Sequence, residues 1–262
     1  MTGPLLAFHC ERFMSGHSKW ASIKHKKAAT DAKRGKVFTR LIREIQIAAR
    51  EGGADPDANP RLRTAITGAK AQSMPQENIK RAILRGSGQL EGESFEEITF
   101  EGYGPAGVAV LVEVVTDNRN RTVSELRNHF SKNGGNLGET GCVGWMFKKQ
   151  SLIVVPKDRA GEEQLMEVLL SADADDMRDE GDNWSIVSTP DVHDTLLEAL
   201  QEAGIEPAAN EVTQLPENSV KVGGKQAAAV LRMIEALEDQ DDVQNVYANF
   251  DIDDHELERL SA

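Results

Sequence analysis

Lysine and arginine side chains are concentrated near the amino terminus, where the chemistry that they offer is the binding of phosphate groups. The stretch from Ser18 to Lys36 holds seven of them, opposed only by Asp31. Cations at this density neutralise phosphates and release condensed counterions, which gives a salt-dependent affinity for nucleic acid that tolerates many sequences. We therefore predict nucleic-acid contacts by these cations, by two interleaved aromatic rings and by the basic residues that follow: Lys19, Trp20, Lys24, His25, Lys26, Lys27, Lys33, Arg34, Lys36, Arg40 and Arg43.

The same basic run also allows a structural interpretation. Trp20 could stack on an exposed base, or it could anchor a helix to the protein core. The cations could contact phosphates, or they could form a basic face that docks onto acidic parts of the same chain. The sequence leaves both alternatives open for each group.

A second candidate site for anions is the segment Thr116 to Thr122, of sequence TDNRNRT, which is predicted to connect a strand to a helix. Arg119 and Arg121, together with the exposed amides of a helix start, could bind an anion or a nucleic-acid backbone. Asp and Asn are also common turn formers, so the segment could instead be a turn with solvated arginines.

The sequence provides no catalytic constellation. The glycine-dense connection from Gly134 to Gly144 lacks the spacing of a phosphate-binding loop and is better explained by loop geometry. Cys142 has no histidine partner in sequence and is predicted to be a buried thiol rather than a nucleophile. HExxH, GxSxG and SxxK motifs are absent, and the six histidines are scattered. We predict a protein that is not an enzyme and that needs no cofactor or metal.

Charge is divided unequally along the chain, whose formal net charge is -13. Residues 14–90 carry +10, whereas residues 91–262 carry -23. One segment is therefore suited to polyanions and the remainder repels them, although the acidic part could meet the ribosome or another protein. The longest apolar run is far shorter than a membrane span, and two unpaired cysteines fit a reducing, cytoplasmic compartment.

The first 90 residues are predicted to be helical after a disordered extension at 1–13. Apolar residues recur with helical spacing from Val37 to Ala49, and Asn59-Pro60 is a typical helix start. Ser73 with Gln76 resembles a capping box. We predict a small basic helical domain over residues 14–90.

The hydrophobic period then changes from helical to alternating. Two strands are predicted around the turn Gly104 to Gly107, followed by a helix that opens at the capping box Thr122–Glu125 and by a strand at Val143 to Phe147. Residues 150–216 follow the strand–helix–strand–strand–helix–strand order of the ferredoxin-like motif. The flanking segments, 91–149 and 217–262, supply the elements of another α+β domain. We predict an α+β protein in which the third domain is inserted in the second.

Several long motifs, in order, resemble the YebC family of probable transcriptional regulatory proteins, which includes the mitochondrial translational activator of cytochrome oxidase. The resemblance spans Met14 to about residue 250, and it rests on MSGHSKWASIKHKKAATDAKRGKVFTRLIREI, GGADPDANPRLR, SMPQENIKRAI, GYGPAGVA, TDNRNRT and NGGNLG. Ala106 stands where the family usually has glycine, which leaves the geometry of that turn open.

The resemblance implies a helical domain and two ferredoxin-like α+β domains around a cleft, in a cytoplasmic protein without enzymatic activity. It implies a DNA-binding regulator of transcription. The alternative that it offers is a translation factor that acts on ribosomal RNA or on synthesis stalled at proline-rich sequences. The predominance of lysine over side chains suited to base edges favours RNA slightly. A module that binds only protein partners is the third hypothesis.

Overall fold

The computed structural model describes residues 31–91, 95–172, 174 and 176–261. The helix that holds Lys33 and Arg34 is described, and its side chains are described from residue 35 onward. The predicted extension 1–13 lies outside the described part of the chain. So do six of the candidate nucleic-acid contacts: Lys19, Trp20, Lys24, His25, Lys26 and Lys27.

Helices and antiparallel sheets make up the protein, and the predicted α+β class is confirmed. The α-helices are α1 (Asp31–Gly52), α2 (Pro60–Ala71), α3 (Gln76–Gly86), α4 (Arg119–Lys132), α5 (Glu162–Ala172), α6 (His193–Glu202), α7 (Gly224–Glu238) and α8 (Asp254–Ser261). The strands are β1 (Glu96–Tyr103), β2 (Ala109–Thr116), β3 (Asn136–Leu137), β4 (Phe147–Pro156), β5 (Asp176–Asp179), β6 (Asn183–Ser188), β7 (Ala209–Pro216), β8 (Val220–Lys221), β9 (Val243–Ala248) and β10 (Phe250–Asp251). None of the described helices is long and apolar enough to cross a membrane.

Helices α1, α2 and α3 form the amino-terminal helical region, whose core contains Ile45, Leu62 and Ile79. Asn59 caps α2 as predicted, because its side chain accepts a hydrogen bond from the Leu62 amide at 3.0 Å. The predicted capping box at Ser73 is wrong. Ser73 has a left-handed backbone with φ of 58°, and α3 begins after Pro75 without a side-chain cap.

The first sheet has the strand order β3-β1-β2-β9, and all its pairs are antiparallel. The predicted turn between β1 and β2 is present, and Ala106 adopts a φ of 60° there, where glycine would avoid strain. Helices α4 and α7 supply the apolar core on one face, which includes Phe130 and Ile234. The other face packs against Val143 and Phe147, which close the connection after β3.

The second sheet has the order β5-β6-β4-β7 and is also antiparallel. Strands β4 and β5, joined by α5, are separated by β6, which is the split arrangement of the ferredoxin-like motif. The first sheet takes strands from both sides of the segment that forms this second sheet, which is the connectivity of an insertion. The exact domain bounds, 14–90, 91–149 with 217–262, and 150–216, stay a prediction.

The predicted strand at Val143 to Phe147 is wrong. Residues Gly144–Met146 form a 3-10 turn, and β4 begins at Phe147 and continues as one strand to Pro156. Phe147 pairs with Pro216 at the far end of β7, so β4 extends three residues ahead of the predicted insertion.

Candidate nucleic-acid interface

The basic face of α1 contacts an acidic turn, residues 238–242, which joins α7 to β9. The Lys36 ammonium donates to the carbonyl oxygen of Asp239 at 2.7 Å and lies 3.4 Å from its carboxylate. Arg40 and Arg43 donate to backbone carbonyl oxygens of the same turn. The charges of these three cations are therefore used within the chain, which is the docking alternative that the sequence left open.

Asp242 is the centre of this contact. Its side chain is only 2% exposed, and it lies 3.1 Å from a guanidinium nitrogen of Arg43 and 2.9 Å from one of Arg121. The hydroxyls of Thr122 and Thr116 lie 2.6 Å and 3.2 Å from the same carboxylate. One buried carboxylate thus joins the helical region, the TDNRNRT segment and the acidic turn.

Asp242 remains ionised in this environment. Burial by itself would raise the pKa of its carboxyl group. Hydrogen bonds from Thr122 and Arg121, together with the charges of Arg43 and Arg121, outweigh burial and lower the pKa below its usual value. A charged and fully bonded carboxylate is required here, because either arginine would otherwise lose a buried partner.

A second group of contacts joins the helical region to the start of β1. Arg61 lies 3.0 Å from the carboxylate of Glu97, although both side chains are more than a third exposed. Arg43 also places its guanidinium 5.3 Å from the centre of the Phe95 ring, and Arg50 donates to the Phe95 carbonyl oxygen. The exposed ion pair contributes little by itself, so the docking depends mainly on the acidic turn.

The TDNRNRT segment is a helix start, as predicted, but with a different cap. Asn118 caps α4 by accepting from the Arg121 amide at 3.1 Å, so the predicted capping box at Thr122 is wrong. Thr122 lies one turn inside the helix and its hydroxyl donates to Asp242. Glu125 accepts a hydrogen bond from the side-chain amide of Gln240 at 2.6 Å.

The two arginines of this segment differ in their surroundings. Arg121 is paired with Asp117 at 2.7 Å as well as with Asp242. Arg119 is exposed, and no carboxylate within the described ranges pairs with it. Of the five predicted contacts with described side chains, only Arg119 is available to an external anion without breaking an internal bond.

The helical region carries further exposed cations that the sequence analysis did not single out. They lie on the polar faces of α2 and α3 and have no ion pair among the residues that the structure describes: Lys70, Lys80, Arg81 and Arg85. In the sequence of α3, the basic residues lie between the apolar positions Ile79, Ala82 and Ile83. This spacing could have predicted a basic face opposite the apolar one. These side chains extend the basic surface beyond the amino-terminal run.

The glycine-dense connection binds a carboxylate of the protein itself. Glu101, which is 6% exposed, accepts hydrogen bonds from the backbone amides of Gly141 at 2.7 Å, Val143 at 2.7 Å and Gly144 at 2.6 Å. Burial would raise the pKa of Glu101, but these three amides outweigh burial and lower it. The amides that could have held a phosphate are occupied, and the loop-geometry interpretation is supported.

Cys142 lies in the same loop and is half-buried. Burial raises the pKa of its thiol, and the nearby charges of Glu101 and Glu139 raise it further. The thiolate, which is the reactive form, is therefore disfavoured.

In a Cys10→Ser variant, which leaves Cys142 as the single cysteine, we expect labelling by a disulfide reagent near pH 8 to be several-fold slower than labelling of free cysteine. The rate should rise to that of a free thiol in urea, because unfolding removes both the burial and the nearby carboxylates. Labelling as fast as that of the free amino acid would contradict the low reactivity inferred for this thiol.

A serine–histidine pair is present, but its serine is not accessible. The Ser151 hydroxyl lies 2.7 Å from Nδ1 of His193, and Ser151 is fully buried in β4, between β6 and β7. A nucleophile needs access to its substrate, so this pair serves packing. Within the described ranges, no three His, Cys, Asp or Glu side chains converge on a point where a metal ion could bind.

Comparison with known proteins places this architecture in a family. A family model described as the TACO1/YebC protein N-terminal domain matches residues 18–89, and one described as the TACO1/YebC second and third domain matches residues 95–250. The chain belongs to the TACO1/YebC family. The two matches meet between α3 and β1, where the helical region gives way to the first sheet.

Relatives within the TACO1/YebC family match along nearly their whole length. A probable transcriptional regulatory protein of Solibacter usitatus is 62% identical over 248 residues, covering 95% of this chain and 100% of that protein. One from Geobacter sulfurreducens is 56% identical, covering 94% and 100%. The crystal structure of a conserved hypothetical protein from Aquifex aeolicus, Aq1575, has a TM-score of 0.79 at 47% identity and covers 90% of this chain and 98% of that one.

Proposed function

We propose that this protein is a transcriptional regulatory protein of YebC type, which binds nucleic acid through its helical region and catalyses no reaction. Its relatives are named probable transcriptional regulatory proteins. The observation that carries the proposal is the segregation of charge, with +10 in residues 14–90 against -23 in the remainder. A polyanion would bind mainly to the helical region, because the net charge of the remainder repels it except where lysines are locally unopposed.

Docking of α1 supports this proposal, because it anchors the helix into which the basic run leads. Lys36, Arg40 and Arg43 are held by the acidic turn, and the run that contains Lys19 to Arg34 directly precedes them in the chain. The docked cations hold the helical region in place, and the cations left exposed on α2 and α3 lie on the same region. We therefore assign phosphate contact to the basic run and to those exposed side chains.

The triple variant Lys24→Glu, Lys26→Glu and Lys27→Glu tests this assignment. We expect it to abolish binding to both duplex DNA and structured RNA in a gel-shift assay at low salt, because three phosphate contacts become repulsive. Where residual binding is measurable, the slope of log K against log salt should fall by about three relative to the unmodified protein.

The matched control makes the same change of charge on exposed lysines of the acidic part: Lys132→Glu, Lys221→Glu and Lys225→Glu. This control should bind almost as tightly as the unmodified protein. Equal loss in both variants would show that net charge alone governs binding, and unchanged affinity in the first variant would remove the proposed interface. Preference for structured RNA over duplex DNA would favour the translational alternative.

A further inference from the structure

Trp145 is the most exposed of the large aromatic side chains in the described part of the chain. It is 65% exposed, whereas Trp184 is 8% exposed and donates from its indole nitrogen to the Ala160 carbonyl oxygen. Leaving the apolar surface of an indole ring in water is unfavourable compared with burying it, so the ring is usually at least partly covered. The ring of Trp145 instead projects from the 3-10 turn between the glycine-dense loop and β4.

The backbone around Trp145 is held on both sides. On one side, Glu101 binds the amides of Val143 and Gly144. On the other side, Phe147 is buried, and the carbonyl oxygen of Met146 accepts from the Glu217 amide at 2.8 Å. A ring presented on a fixed backbone loses little further conformational freedom when it binds, which is the condition for an efficient contact.

Two cations accompany the exposed ring. Lys148 and Lys149 follow it in β4, and both are exposed. Their partners across the strand pair are Leu215 and Gln214, which carry no charge. Neither lysine forms an ion pair with any described carboxylate, so both ammonium groups are available although the surrounding chain is acidic.

We propose that Trp145 stacks on an unpaired base of a nucleic acid while Lys148 and Lys149 neutralise its neighbouring phosphates. This inference rests on the proposed nucleic-acid binding. It adds a second contact besides the basic run, and it names an unpaired base as the part of the ligand that this contact recognises. Every base has a π-face, so stacking on an aromatic ring tolerates sequence and requires only that the base be unpaired. A protein partner is disfavoured because the exposed neighbours of the ring in β4 are lysines, which are depleted at the centres of protein interfaces.

Intrinsic fluorescence can report on this contact directly. In a Trp20→Phe variant, the remaining tryptophans are Trp145 and the buried Trp184. We expect oligo(U) RNA and oligo(dT) DNA to quench the emission of this variant, because stacking on a base quenches an indole. Its derivative with Trp145→Phe should show no such quenching.

Affinity provides the second readout. Trp145→Ala should weaken binding of the full chain to oligo(U) about tenfold or more, whereas Trp145→Phe should retain most of the affinity. Binding to a blunt DNA duplex, which offers no unpaired base, should be unchanged. The matched control is Leu170→Ala, which removes another highly exposed apolar side chain and should have no effect on either ligand.

The possible failures are distinguishable. Unchanged oligo(U) affinity in Trp145→Ala, with the unmodified protein binding normally, would overturn this inference and leave the proposed function intact. If the triple variant of Lys24, Lys26 and Lys27 lost duplex binding while oligonucleotides still quenched Trp145, this would support both contacts and show that they act independently. Quenching of Trp145 by a protein partner in the absence of any effect of oligonucleotides would show that the ring belongs to a protein interface, and would also overturn the inference.

Discussion

Asp242→Asn is expected to lower the free energy of unfolding by about 3–5 kcal/mol, the cost of removing one member of a buried ionic contact. The asparagine would leave Arg43, whose side chain is 13% exposed, without its carboxylate, and Arg121 would keep only its pairing with Asp117. The amide group of the asparagine would also face the donors of Thr122 and the two guanidinium groups. Urea unfolding monitored by circular dichroism measures the change.

The matched control for this substitution is Asp241→Asn in the neighbouring position. The Asp241 side chain is exposed, and the contact that it makes with Arg43 uses its backbone carbonyl oxygen, which the substitution preserves. We expect the control to change the free energy of unfolding by less than about 0.5 kcal/mol. Equal effects of the two substitutions would show that Asp242 contributes only general charge.

Stability should also depend on pH through Asp242. Because its pKa is lowered on folding, its contribution is complete above the unfolded-state pKa of about 3.8. The contribution is lost as the pH falls through the lower pKa of the folded state. The unmodified protein should therefore lose stability more steeply below pH 4 than Asp242→Asn does. Parallel acid-unfolding curves would contradict this assignment.

Glu101→Gln is expected to have the next largest effect, a loss of about 3 kcal/mol. Charged hydrogen bonds contribute about 1.5–3 kcal/mol each, and glutamine keeps one acceptor oxygen for the three amides that Glu101 now binds. Its amide group would point toward backbone donors rather than acceptors. Urea unfolding measures the loss, and the labelling rate of Cys142 in the same loop should rise with it.

Glu96→Gln is the appropriate comparison for Glu101→Gln. Glu96 lies on the same strand, and its side chain is exposed. The substitution removes the same charge without removing a buried acceptor, so stability should change by less than about 0.5 kcal/mol. If Glu101→Gln were equally mild, the loop would be held by its apolar contacts and the fixed presentation of Trp145 would lose its basis.

The docking of α1 also changes how the basic surface should be understood. Cations that look equivalent in sequence divide into two groups, because Lys36, Arg40 and Arg43 bind the acidic turn while Lys80 and Arg81 remain exposed. The first group positions the helical region, and the second is free to contact phosphate. Substitutions in the first group should therefore alter stability before they alter affinity.

Local sequence patterns were sufficient to predict most of the helices and strands. The helical spacing of apolar residues predicts α1, and the order of strands and helices between β4 and β7 predicts the ferredoxin-like sheet, because periodicity and turn residues act over a few neighbouring positions. The cap at Asn59 follows from the same local chemistry. The density of lysines before α1 predicts a phosphate-binding segment without any information from the fold.

Long-range contacts decided the rest. Thr122 has the sequence of a helix cap, but the buried carboxylate of Asp242 takes its hydroxyl, and Asn118 becomes the cap. The apolar run at Val143 to Phe147 resembles a strand, but the carboxylate of Glu101 bends its beginning into a turn. In each case a charge brought from a distant part of the chain outweighs the local preference. An unpaired buried charge costs more free energy than a helix cap or a short strand contributes, so the charge determines the local structure. Only the tertiary structure brings its partners close.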